Sequence, residues 1–176
     1  MEKKNKIKNE TELLAMFCDP DALRVQLRAP FFNTRYNEVW SSNGYILIRI
    51  KPERLTGEYQ ENELKMPERI GDYKKQITLN AINEALKKCP QVEDEVVGGY
   101  MTVDEKAIIK IGKAYFRVKE INILIAAMKH LGVPRVELLL NPSWNMNEVA
   151  IGDIRIGIAP IILDNCECSA EVVLSE

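Results

Sequence analysis

The residues able to move protons or hold metals are few in this chain, and they are scattered. There is a single histidine, His130. As a catalytic base it would need a nucleophile and an orienting carboxylate beside it, and the local sequence supplies neither. His130 is therefore read as a solvated residue on the polar side of a helix. Cys166-Glu-Cys168 would set two thiolates on one side of an extended strand, a spacing that suits a soft metal. No second Cys or His pair completes a tetrahedral site, so these thiols are expected to be structural or incidental. The acidic run Glu93-Asp94-Glu95 is read as solvated rather than as a cation site. The phosphate-cradling G-x-x-x-x-G-K-S/T loop, the dinucleotide turn G-x-G-x-x-G and the zinc-protease motif H-E-x-x-H are all absent. No catalytic residue, cofactor or metal is expected, which leaves a binding role.

Two sets of side chains could hold a partner without reacting with it. Trp40, Tyr45 and Phe31-Phe32 have faces that stack on bases. A large ring inside a hairpin more commonly packs across strands, so core is the expectation for them. Lys87, Lys88, Lys119, Lys129 and His130 sit on the polar faces or ends of two expected helices. Side by side, those helices would present a basic strip to phosphates. Glu84 and Glu120 interrupt the strip, and a plain solvated face is the competing reading. An enzyme built on the long connection is a further alternative, and it would have to bring Glu53, Tyr59 or Asp72 to His130 in one pocket.

The elements that must position these residues follow from periodicity and turn signals. A short helix is expected over Thr11 to Phe17, with Asn9 or Thr11 as its N-cap and Asp19-Pro20-Asp21 as its stop. Leu23-Arg-Val-Gln-Leu27 alternates as a half-buried strand does. Glu38 to Ser42 and Tyr45 to Ile50 flank Asn43-Gly44, which predicts a hairpin with a type I′ turn. Residues 51–78 are dense in charge, lack a period, and read as a long connection that is either functional or structured in a way the pattern hides. Leu79, Ile82, Leu86 and Cys89 mark one face of a helix that Pro90 ends. A second hairpin is expected from Tyr100 to Val103 and Ala107 to Ile111, then a strand from Ala114 to Val118. Ile121, Leu124, Ile125, Met128 and Leu131 mark the buried face of a second long helix, closed by Gly132 and Pro134. Val136 to Leu140 and a third hairpin around Gly152-Asp153 complete the pattern. Setting Ile50 over Ile111 makes a repeated unit of hairpin then helix, and the fold class is α+β with antiparallel sheets and two main amphipathic helices packed on one side.

At 176 residues, 46% hydrophobic and 28% charged, the composition is that of an ordinary globular domain. Basic and acidic residues number 24 and 26, a net charge of −2, so any DNA contact must come from a local basic face. Residues 1–10 read as a basic flexible tail, 11–163 as the domain and 164–176 as a terminal segment. The apolar stretch after the tail is too short for a secretory signal. No apolar run reaches membrane-spanning length. With four cysteines read as free thiols, a cytoplasmic location is expected.

The stretch Val39-Trp-Ser-Ser-Asn-Gly-Tyr-Ile-Leu-Ile-Arg-Ile50 resembles the strand, polar turn and strand of bacterial beta sliding clamps. Phe116 to Leu131 followed by Val136-Glu-Leu-Leu-Leu140, and Ile154 to Ile161 with Ala159-Pro160, look like that family's closing helix and strands. The order of elements is similar over about Thr11 to Leu163. The chain is far shorter than the three-domain bacterial clamp, carries Ala-Pro where the family has Met-Pro, and has no counterpart for residues 51–78. The resemblance implies a clamp-type domain whose helices touch duplex DNA through phosphates, without base readout, as an oligomer. It implies a polymerase-type peptide as the other partner, in replication or repair. An accessory protein of phage or mobile-element type that keeps the fold without encircling DNA is the alternative it leaves.

Overall fold

The structure, a computed structural model, describes residues 6–66, 73, 75–94, 99–140, 146–162 and 167–174. Helix α1 (Glu10–Ala15) follows Asn9, whose φ of 50° is left-handed and whose side chain makes no cap bond. Packing holds this helix: Leu13 and Leu14, with Phe17 just beyond, are fully buried. Strands β1 (Phe31–Asn33), β2 (Glu38–Ser42), β3 (Ile46–Ile50), β4 (Glu61–Asn62) and β5 (Lys75–Thr78) come next, then helix α2 (Leu79–Leu86). Four strands follow: β6 (Gln91–Asp94), β7 (Tyr100–Val103), β8 (Ile108–Ile111) and β9 (Ala114–Arg117). Helix α3 (Val118–His130) precedes β10 (Arg135–Leu139), β11 (Asn147–Ile151), β12 (Ile154–Ile158) and β13 (Ala170–Val172). The fold class is α+β, as expected.

One eight-stranded sheet, in the order β4-β1-β2-β3-β12-β11-β10-β5, organises the molecule. Alternation along its strands sends Val39, Ile46, Ile48, Ile50, Ile154, Ile156 and Ile158 to one face, where all are buried in a common core. Helices α1, α2 and α3 close that face, together with Ile109, Ile111 and Phe116 from a second sheet, β13-β8-β9. Each isoleucine fully buried there contributes about 1.5–3 kcal/mol.

Both long helices start with no connecting residue, β5 running into α2 and β9 into α3. The Thr78 hydroxyl accepts the Ala81 amide at 3.1 Å and caps α2. Laying Leu79 on Val118 puts Ile82 on Ile121, Asn83 on Asn122, Leu86 on Ile125 and Cys89 on Met128. Ile82, Leu86, Cys89, Ile121, Ile125 and Met128 are all buried. The repeat therefore has a strand-then-helix frame, in a different register from the Ile50 and Ile111 alignment.

Several local expectations change. Leu23–Leu27 is not a strand. Val25–Leu27 forms a 3-10 turn, and Leu23 is 96% exposed, so its alternation faces no core. The β2–β3 hairpin forms, but its turn is centred one residue later. Gly44 alone has positive φ, at 95°, the first central position where only glycine is unstrained. Asn43 stands before it and its Oδ1 accepts the Tyr45 and Ile46 amides. Tyr100–Val103 pairs with Gln91–Asp94 instead of with β8, and β8 pairs with β9. The Asp104 amide donates to the Pro90 carbonyl, which directs β7 back toward the end of α2. Within the long connection, the described residues include β4 and β5, which form the two edges of the large sheet. The terminal segment contributes β13, parallel to β8.

Candidate functional site

Helices α2 and α3 lie against each other; Lys119 and Lys129 are on α3, while Lys87 and Lys88 follow the last residue of α2. Lys87, Lys88, Lys119 and Lys129 are all exposed. On α3, Lys119, Asn122, Ile123, Ala126, Lys129 and His130 recur at helical spacing on the side away from the buried Ile121, Leu124, Ile125 and Met128. The start of that stripe is fixed by two backbone bonds, from Val118 to the Ala107 carbonyl and from Lys119 to the Glu105 carbonyl. His130 departs from a free solvated residue. It is half-buried, and its Nε2 lies 2.9 Å from the Lys8 carbonyl, to which it can only donate. The two interrupting acids are withdrawn in different ways. Glu120 is 3% exposed, and Glu84 pairs with Lys87 at 2.6 Å. That exposed pair contributes about 0.5 kcal/mol or less.

The opposite face of the large sheet carries a polar cluster that matches no sequence motif. Arg49 and Arg155 stand directly across from each other on β3 and β12. Like charges in that position repel, and Glu148 of β11 separates them. Arg49 Nη2 donates to Glu148 Oε2 at 2.6 Å, Arg155 Nε lies 3.8 Å from Oε1, and the Tyr73 hydroxyl donates to Oε1. Glu38 extends the network, with Lys51 Nζ 3.2 Å from Oε1 and Trp40 Nε1 donating to Oε2 at 3.1 Å. The Arg49 guanidinium lies 5.9 Å from the Trp40 ring centroid. Trp40 itself is fully buried with Phe31 and Leu47, and Tyr36 stacks on it at 4.9 Å, so these rings are core. The readable signal was polar residues at alternate positions in apolar strands: Arg49 in Ile46–Ile50 and Arg155 in Ile154–Ile158.

On the helical side, the carboxylate of Glu10 is 6% exposed and gathers the connection around itself. It accepts from the Thr56 amide and hydroxyl, the Gly57 amide and the Tyr59 hydroxyl. A Cβ at Gly57 would meet Glu10 Oε1 at 2.9 Å, so a larger residue there would push the Glu10 carboxylate out of its present place. Burial acts to raise the Glu10 pKa, but the donors from Thr56, Gly57 and Tyr59 outweigh it and the group titrates below its ordinary 4.5. Tyr59 is pushed up, by burial first and then by its bond to Glu10. A cleft of about 350 Å³ beside Tyr59 is lined by Phe32, Val39, Pro52, Leu55, Gly57 and Glu58, without His130. Glu53 is exposed on a 3-10 turn, and Asp72 lies outside the described residues. Tyr59 is committed to Glu10 and His130 to Lys8, so these residues do not share a pocket.

Cys168 is exposed and Cys89 buried, its thiol pushed up by burial and then by Cys168; Cys166 lies outside the described residues. Among the described residues no group of three or more His, Cys, Asp or Glu is placed to hold a metal. Among them, too, no helix is long and apolar enough to cross a membrane. No protein-family model matches the chain, and no curated protein matches it either.

Proposed function

We propose that this chain is a non-enzymatic, clamp-type binding protein whose helical layer faces the phosphates of duplex DNA. The observation that carries the reading is the burial of Glu120, which leaves Lys119 and Lys129 exposed on α3 beside Lys88, exposed in the turn that follows α2. The doubled strand-then-helix unit supports it as well, since two equivalent helices on one core form a layer rather than a pocket. Phosphate contact by such a layer needs no base-reading side chain, and its affinity falls steeply with salt through counterion release. A gel-shift titration with duplex DNA tests it. Binding at low salt is expected to weaken with a steep negative slope in log salt, and reversal of Lys88, Lys119 and Lys129 to glutamate is expected to abolish it. Absence of binding at low salt, or equal binding by the reversed variant, overturns the reading.

The second reading is an accessory protein that keeps the fold and binds another protein, such as a polymerase-type peptide. Exposed apolar side chains at Val92, Tyr100, Met101, Leu23 and Val25 favour it. Capture of such a peptide by a chain with no DNA affinity would select it.

A further inference from the structure

We infer that His130 is a positioning residue: it pins the N-terminal segment to the end of α3, so that Lys8 adds one phosphate contact to those of Lys88, Lys119 and Lys129. The inference rests on the phosphate-facing reading above and adds to it a residue from outside the two long helices.

The backbone is held at each step from Ile7 to Asn9. The Ile7 amide donates to the Arg54 carbonyl at 2.8 Å, and the Ile7 side chain is buried in the common core. His130 Nε2 donates to the Lys8 carbonyl at 2.9 Å. The Leu13 amide donates to the Asn9 carbonyl at 3.2 Å, where α1 begins. Glu10 then turns inward, onto Thr56, Gly57 and Tyr59. Between these anchors the Lys8 side chain is exposed. A lysine on a fixed backbone has only its own rotamers to order when it meets a phosphate.

The place of Lys8 is set by one side chain of α3. Lys119 and Lys129 mark the two ends of that helix, about 15 Å apart along its axis. His130 is its last residue, in the same turn as Lys129. The C-terminal end of a helix carries partial negative charge, which opposes a phosphate unless cations gather there. Lys129 is one such cation, and the bond from His130 brings Lys8 beside it as a second. Lys6 is exposed as well, but its Nζ is committed to the Leu55 carbonyl. Glu12 of α1 and Glu53 and Glu58 of the long connection are exposed on the adjoining elements, so no surplus of positive charge builds up there. The strip therefore ends at Lys8, and the gain is a single contact rather than a basic field.

Fluorescence anisotropy of the whole chain with labelled duplex DNA, over a range of salt, tests this. Lys8→Gln is expected to make the slope of log affinity against log salt shallower by about 0.9, the contribution of one phosphate. His130→Ala is expected to do the same by releasing Lys8, so that Lys8→Gln changes nothing further in that background. His130→Gln, whose amide can still donate to the Lys8 carbonyl, is expected to restore the wild-type slope, with circular dichroism showing each variant folded. A purely structural role for His130 would lower the melting temperature of His130→Ala and leave its slope unchanged, which would overturn the inference. An unchanged slope in Lys8→Gln, or an equal effect of Lys8→Gln with and without His130, overturns it too, while the contacts of Lys88, Lys119 and Lys129 stand. A wild type that binds no duplex at low salt overturns both.

Discussion

The two faces of the eight-stranded sheet bury their side chains by opposite means. On the helical face nearly every strand position is Ile, Val or Leu, and the packing needs only volume and shape. On the other face the same strands carry Arg49, Arg155, Glu148 and Glu38 around a small cluster of Phe31, Trp40 and Leu47. There each group is tolerable only while its partners are present, because a desolvated charge without its counterion costs more than the pair returns. One face is robust to chemistry and sensitive to volume. The other is the reverse.

The largest effect is expected from volume. Ile48 is fully buried between β2 and β12, and Ile48→Ala is predicted to lower unfolding free energy by about 4 kcal/mol through lost burial and a residual cavity. Urea unfolding with an unchanged slope would measure it. A cost below about 1 kcal/mol would mean that the helical face is not a tightly packed core. Next comes charge. Glu148→Ala leaves Arg49 and Arg155 opposed without a carboxylate between them, and a loss of about 3 kcal/mol is predicted. Replacing Arg49 by Met in the same chain should return part of that loss, because the repulsion goes with it. If the double variant is as unstable as the sum of the two singles, the network is not coupled as its distances imply.

The contrast also explains what could be read from the sequence. Periodicity located α2, α3 and their buried faces, because a helix interior depends on residues three and four apart. It found β3 and the β11–β12 hairpin for the same local reason. It mispaired β7 with β8, since nothing within those strands records that the Asp104 amide is held by the Pro90 carbonyl. The Leu23 to Leu27 alternation looked like a strand and had no neighbour to pair with. Residues 51–78 hid β5 because Lys75-Gln-Ile-Thr78 has one apolar residue, and its strand character comes from β10 beside it. The candidate lysines were legible as residue types. That Glu120 turns inward between them was not, because a carboxylate in a helix's first turn usually reads as exposed. The Glu148 network joins residues about a hundred positions apart, a separation that no motif spans.

The smallest effect compares the two buried carboxylates themselves. Glu148 is held by two guanidinium groups and a tyrosine, whereas Glu10 is held by neutral donors alone: two amides, a threonine hydroxyl and Tyr59. Bonds from neutral donors favour the charged form of Glu10, so its pKa lies below 4.5 when folded and returns to about that value when the chain unfolds. The stability it contributes is thus present above pH 4.5 and is lost as pH falls through the folded pKa. Glu10→Gln is predicted to cost about 2 kcal/mol at neutral pH, since its amide group cannot accept from all four donors as well as the carboxylate does. The variant should also lose less stability than the wild type between neutral pH and the acid side of 4.5. Thermal melts of both proteins from pH 7 to pH 3 measure the two quantities together. Parallel curves would show that the Glu10 cradle is not linked to protonation.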